Sequence, residues 1–142
     1  MQSVTHTFAR RYEADPESVG RARAELARFA SRAGASETLV DGLRLAVSEA
    51  VTNAVRHAYP LDPGEIRVRA LVGEDGLEVV VSDDGCGVHR DRADDGGLGF
   101  GLALICELSD QVTMAPRSGG GTDVRMRFSL PASGSGAAVG RL

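Results

Sequence analysis

Apolar residues recur at helical spacing over two long stretches and at alternate positions over five short ones, and this division predicts the fold. Val19, Ala22, Leu26, Phe29 and Ala30 stand three and four apart, so a helix running to about Ala33 buries them on one face. Asp15-Pro16-Glu17 opens that helix, with an Asp cap, Pro at the first helical position and an acidic first turn; Gly34 stops it. A second helix runs from about Ser36 to Ala58 with the stripe Leu39, Leu43, Val47, Ala50 and Ala54, and Ala46 falls within it. The turn Pro60-Leu61-Asp62-Pro63-Gly64 ends it.

The alternating stretches read as strands. Val4 to about Tyr12 is loosely alternating and predicts an edge strand. Glu65 to Val72 sets Ile66, Val68, Ala70 and Val72 against Arg67 and Arg69, a half-buried strand with one wet face. Glu74-Asp75-Gly76 turns the chain into Leu77 to Ser82, a more apolar and hence more central strand. A polar segment, Val88 to Gly97, precedes a short helix from Leu102 to Ser109. Gln111 to Ala115 and Thr122 to Leu130 form a closing hairpin around Arg117-Ser118-Gly119-Gly120-Gly121. Strands in consecutive hairpins exclude βαβ crossovers, so the class is α+β. The expected form is a two-layer sandwich, a mixed and mostly antiparallel sheet with helices on one face. Residues 1–130 make one domain; 131–142, with Ser133-Gly134-Ser135-Gly136-Ala137-Ala138, have nothing to bury and are expected to be a disordered tail.

Composition narrows the function. All sixteen basic residues of the 142 are Arg, and without lysine a Walker-A P-loop cannot be written. The formal charge of −4 argues against a nucleic-acid binder, whose affinity comes from neutralised phosphates. No run approaches membrane-spanning length and no signal-peptide pattern opens the chain, so a cytoplasmic protein is expected. Two cysteines, Cys86 and Cys106, make neither a disulfide framework nor a zinc site.

Three groupings carry candidate chemistry. Glu49, Asn53 and His57 stack in one file beside the apolar stripe of the second helix, where polar groups need a partner. A solvated helix flank is the bland alternative, and His57 reads equally well as a core histidine bonded to backbone. Asp83-Asp84-Gly85-Cys86-Gly87 follows the central strand. Its glycines let a flat group approach, and a carboxylate at a strand end can accept from an exocyclic amine such as that of adenine; Asp-Gly is also a common plain turn. Gly97-Leu98-Gly99-Phe100-Gly101 opens a helix, whose free N–H groups and dipole favour anions, or else it is a flexible joint.

Taken in order, Glu49-x3-Asn53, Asp83-x-Gly85-x-Gly87, Gly97-x-Gly99-x-Gly101 and Gly121-Thr122 resemble the ATP-binding domain of gyrase-type topoisomerases, heat-shock chaperones, histidine kinases and mismatch-repair ATPases. The resemblance spans about residues 5–130. The wording Ser48-Glu49-Ala50-Val51-Thr52-Asn53-Ala54-Val55-Arg56-His57, the short form and the N-terminal strand look most like the anti-sigma-factor serine kinases. That resemblance implies that Asn53 holds Mg²⁺ through its side-chain oxygen and that Glu49 takes the proton from an attacking hydroxyl. It implies that Asp83 reads the adenine amine over Gly85 and Gly87, with Thr122 assisting. Gly97, Leu98, Gly99, Phe100 and Gly101 would cradle phosphates, under a lid at Val88–Gly96. His57 is given no role. Cys86 has no evident task in the adenine loop. Asp91, Asp94 and Asp95 would repel phosphates unless Arg90 and Arg92 face inward.

The function so implied is an ATP-binding serine/threonine protein kinase that sequesters a sigma factor and phosphorylates an anti-anti-sigma partner. Relatives of this type commonly pair as homodimers. Two alternatives stand beside it: a non-catalytic ATP-dependent partner switch, and a histidine-kinase-like module from a larger signalling protein. Glu49 separates the first of these, because a pure binder needs no base beside its Mg²⁺ ligand.

Overall fold

The computed structural model describes residues 4–57, 64–74, 76–85, 109–118 and 120–129. The chain runs β1 (Val4–Glu13), α1 (Pro16–Arg32), α2 (Glu37–His57), β2 (Glu65–Gly73), β3 (Gly76–Asp83), β4 (Gln111–Pro116) and β5 (Thr122–Ser129). The start of α1 is made as its residues require. Asp15 Oδ1 accepts from the Ser18 backbone N–H at 3.0 Å, and Pro16 supplies a preset φ where no N–H is needed. Past its end, Gly34 takes a positive φ of 99°. Ser36 Oγ caps α2 by accepting from the Leu39 N–H at 3.1 Å.

The five strands lie in the order β1-β2-β3-β5-β4. Thus β1 is an edge strand and β3 the central one, as their patterns predict. Every pairing among the described residues is antiparallel, where a mixed sheet was expected. The cause is the placement of β5: it folds back between β4 and β3, so β4, which runs parallel to β3, sits at the far edge and never pairs with it. Pro116 ends that edge strand, where a missing donor costs no ladder bond.

One face of the sheet and the two helices share the core. Ile66, Val68 and Ala70 of β2, Val79 and Val81 of β3, and Met126 of β5 pack with Leu26, Leu43, Val47, Ala50 and Val51 of the helices. Leu39 and Phe29, expected in the core, pack at its margin, while Val40 and Val51 join it. The other face carries Arg67, Arg69, Glu78, Asp123 and Arg125, with Arg125–Glu78 at 3.3 Å among its ion pairs. The short helix expected at Leu102–Ser109, the polar segment Val88–Gly97 and the tail lie outside the described residues.

Candidate functional site

β3 ends at Asp83, whose neighbours across the sheet are Ile66 on β2 and Thr122 on β5. Side chains alternate along a strand, so this row shares the helix-facing side with Val81 and Val124. A carboxylate and a hydroxyl therefore finish a surface that is otherwise apolar. Both are deeply set, Asp83 at 6% exposure and Thr122 at 4%. Asp83 Oδ1 accepts from the Gly85 N–H at 2.9 Å. The Thr122 hydroxyl oxygen, also shielded, has no hydrogen-bond partner among the described residues. Native proteins seldom leave such a group unmatched unless a ligand or water completes it.

Burial pushes the Asp83 carboxyl above its ordinary range, against the backbone N–H groups of Gly85 and Thr122, which favour the charged form. The folded protein therefore binds this proton more tightly than the unfolded chain does. Asp83's contribution to stability falls as pH rises from the usual carboxylate value through its raised one. Asp83→Asn is expected to remove that slope and to leave the protein at least as stable at neutral pH. Urea-unfolding midpoints at pH 4 and pH 7 check this; a variant markedly less stable at pH 7 would contradict it.

The turn between β4 and β5 lies directly against this strand end. Gly121 has φ of 102°, and a Cβ there would overlap the Asp83 carbonyl oxygen and come within 2.7 Å of the Asp84 Cα. Only a glycine permits both the conformation and the approach. Gly121→Ala is expected to cost about 2–4 kcal/mol, read as a lowered melting temperature; an unchanged one would mean that the turn adapts freely.

On the outer face Asp84 meets Arg67 through two parallel bonds, Nη1 to Oδ2 at 3.0 Å and Nη2 to Oδ1 at 3.1 Å. Arg117 reaches the same carboxylate at 3.6 Å and that of Asp123 at 3.2 Å. The Arg67 guanidinium holds the Asp84 carboxyl below the usual range. Asp84, Arg67 and Arg117 were not picked out from sequence as site residues. The register of the β2–β3 hairpin, with Arg67 opposite Ser82, is the signal that would have put Arg67 beside Asp84.

Glu49 and Asn53 lie four residues apart on α2 and are half-buried, beside the fully packed Ala46, Ala50 and Ala54. They sit at the margin of the buried stripe, as their spacing predicts, and α2 packs on β2 and β3. One residue before Glu49, the Ser48 hydroxyl accepts from Arg23 Nη1 of α1 at 3.4 Å. Gly87, Gly97, Leu98, Gly99, Phe100 and Gly101 lie outside the described residues, as do Cys86, Cys106 and the side chain of His57. Of the candidate residues, the structure thus describes Glu49, Asn53, Asp83, Gly85 and Thr122. Among the described residues there is no cluster of three or more His, Cys, Asp or Glu suited to a metal.

Comparison with known proteins identifies the family. Residues 12–128 match the histidine kinase-like ATPase domain family. The chain is 41% identical over 123 residues to the serine-protein kinase RsbW of Bacillus subtilis, covering 75% of this chain and 76% of that one. A shorter match, 52% identical over 73 residues, joins 51% of this chain to 46% of the serine-protein kinase RsbW of a Listeria monocytogenes serotype 4a strain. Among solved structures, the RsbU and RsbW domains of a Mycobacterium tuberculosis protein superimpose with a TM-score of 0.70 at 25% identity. That superposition takes in 93% of this chain and 35% of the other. With a match of this extent and, among the described residues, a five-stranded sheet under two helices, the chain belongs to the histidine kinase-like ATPase domain family.

Proposed function

We propose that this protein is a serine kinase that uses Mg-ATP, acting on an anti-anti-sigma protein and binding a sigma factor. The observation that carries the reading is the Thr122 hydroxyl, unpartnered among the described residues, beside the buried Asp83 carboxylate, in a chain 41% identical to a serine-protein kinase. A purine fits that pair: the carboxylate accepts from the exocyclic amine of adenine, and the hydroxyl meets a ring nitrogen directly or through water. Gly85 leaves room for the ring and spends its N–H on orienting Asp83.

Asn53 would hold Mg²⁺ by its amide oxygen, a hard donor suited to that ion. When bound, the ion neutralises charge on the triphosphate. Glu49, one turn away, would accept the proton of a serine hydroxyl as its oxygen attacks the terminal phosphorus, whose bond to the bridging oxygen breaks to release ADP. Gly97, Leu98, Gly99, Phe100 and Gly101 would supply the phosphate cradle, and Gly87 the floor under the base. No described helix is long and apolar enough to cross a membrane. Pairing of two copies finds support in β1, an edge strand ten residues long whose Phe8 meets Phe29 of α1 with ring centroids 5.4 Å apart.

The test is transfer of label from γ-labelled ATP to an anti-anti-sigma protein in the presence of Mg²⁺. Label on a serine of the partner is expected. ATP-dependent retention of the partner without label would favour the non-catalytic switch.

A further inference from the structure

We propose that Arg67, Asp84 and Arg117 form a clamp on the outer face of the sheet that fixes where Asp83 presents its carboxylate, and so sets the preference for adenine. The proposal rests on the nucleotide reading above. Asp83 is the last residue of β3. Beyond it the chain leaves the ladder, and a strand end held on one side only drifts. Here the next residue is gripped from two directions. Arg67 stands within β2, paired across the sheet with Arg11 of β1 and Ser82 of β3, so its backbone has little freedom. Its planar fork takes both oxygens of Asp84, a geometry that fixes orientation as well as distance. Arg117 comes from the β4–β5 turn and spans Asp84 and Asp123. Its Nε is buried without a hydrogen-bond partner among the described residues. The same turn sets Gly120 and Gly121 against the backbone of residues 83–85, with a Cβ on Gly120 reaching 3.7 Å from the Gly85 oxygen.

The energetics favour positioning over bulk stability. Asp84 is 53% exposed, and ion pairs that wet contribute roughly 0–1 kcal/mol to folding. Two arginines converging on one exposed carboxylate are therefore an inefficient way to stabilise a fold. They are an effective way to fix a three-residue turn whose first side chain must meet a ligand within a few tenths of an ångström. The carboxylate of Asp83 and the N–H of Gly85 flank Asp84 directly, so holding Asp84 holds both ends of that bond. Arg67, Asp84 and Arg117 are positioning residues: they act on the base through Asp83 without touching it.

The test compares ATP with inosine triphosphate, which carries a carbonyl where adenine carries its amine. Calorimetric affinities are measured on the full chain for wild type, Arg67→Ala, Arg67→Lys and Asp84→Asn, with melting temperatures alongside. Wild type is expected to prefer ATP by about tenfold or more. In Arg67→Ala and Asp84→Asn that preference is expected to shrink about fivefold or more, through ATP alone, with inosine triphosphate affinity unchanged. Arg67→Lys keeps the charge but not the fork and is expected to fall between. Asp84→Asn, nearly isosteric at an exposed site, keeps the comparison valid should Arg67→Ala melt early. Affinities for both nucleotides falling together, or an unchanged ratio in both variants, would overturn the clamp. A wild-type chain that binds neither nucleotide would overturn the nucleotide reading, and the clamp with it.

Discussion

Glu49→Ala is expected to leave Mg-ATP binding intact and to slow phosphoryl transfer by about 10²–10⁴-fold, the range for losing a positioned general base. Glu49 is half-buried on α2, one residue before the packed Ala50 and one turn before Asn53. A carboxylate at the edge of a buried stripe is an arrangement that packing alone would not select. Alanine is the better helix former, so the variant should fold at least as well, and a lost rate cannot be assigned to unfolding. Single-turnover transfer under saturating Mg-ATP reads the chemical step directly. A rate equal to wild type would remove Glu49 as the base and favour a protein whose output is nucleotide-dependent binding alone.

Asn53→Ala is expected to abolish Mg²⁺-dependent ATP binding, a loss of about 100-fold or more in affinity. The argument is one of donor chemistry. Mg²⁺ demands hard oxygen ligands at fixed geometry, and an amide oxygen on a rigid helix supplies one without adding negative charge beside the phosphates. Alanine at this position shortens the side chain among small, packed neighbours, Ala50 and Ala54, and should not weaken α2. Titration with and without Mg²⁺ separates the effects: the variant should show only the weak, metal-independent affinity. Wild-type-like, Mg²⁺-responsive binding would place the metal ligand elsewhere.

Local features of the fold were the most legible in sequence. The Asp15 cap, the stop at Gly34 and the alternation of β2 each depend on residues within a few positions of one another. Their physics is complete in a short window, and the structure has them where the pattern puts them. The central place of β3 was also readable, because the more apolar strand of a hairpin is the one that neighbours must cover. The insertion of β5 between β3 and β4 was not, since a hairpin names its own partner strand but not which of the two meets the rest of the sheet.

The site divides the same way. Spacing puts Glu49 and Asn53 on one helical file, and composition excludes a P-loop; both follow from counting. That Asp83 would stand directly opposite Thr122, on the core side of the sheet, depends on the β3–β5 register and emerges only from the pairing. The bridge from Arg67 to Asp84 spans seventeen residues and depends on both strands of a hairpin ending together. Neither residue type is distinctive in a chain with sixteen arginines, so no motif marks the pair.

The central claim is that a lysine-free chain binds adenine nucleotides through an amide-bearing helix and the buried Asp83–Thr122 pair. Isothermal calorimetry of the full chain with ATP and with GTP, each in the presence of Mg²⁺, addresses it most directly. Saturable binding of ATP at one site per chain, with GTP at least about tenfold weaker, is the expected result. Absence of ATP binding, or equal affinity for the two bases, would contradict the account.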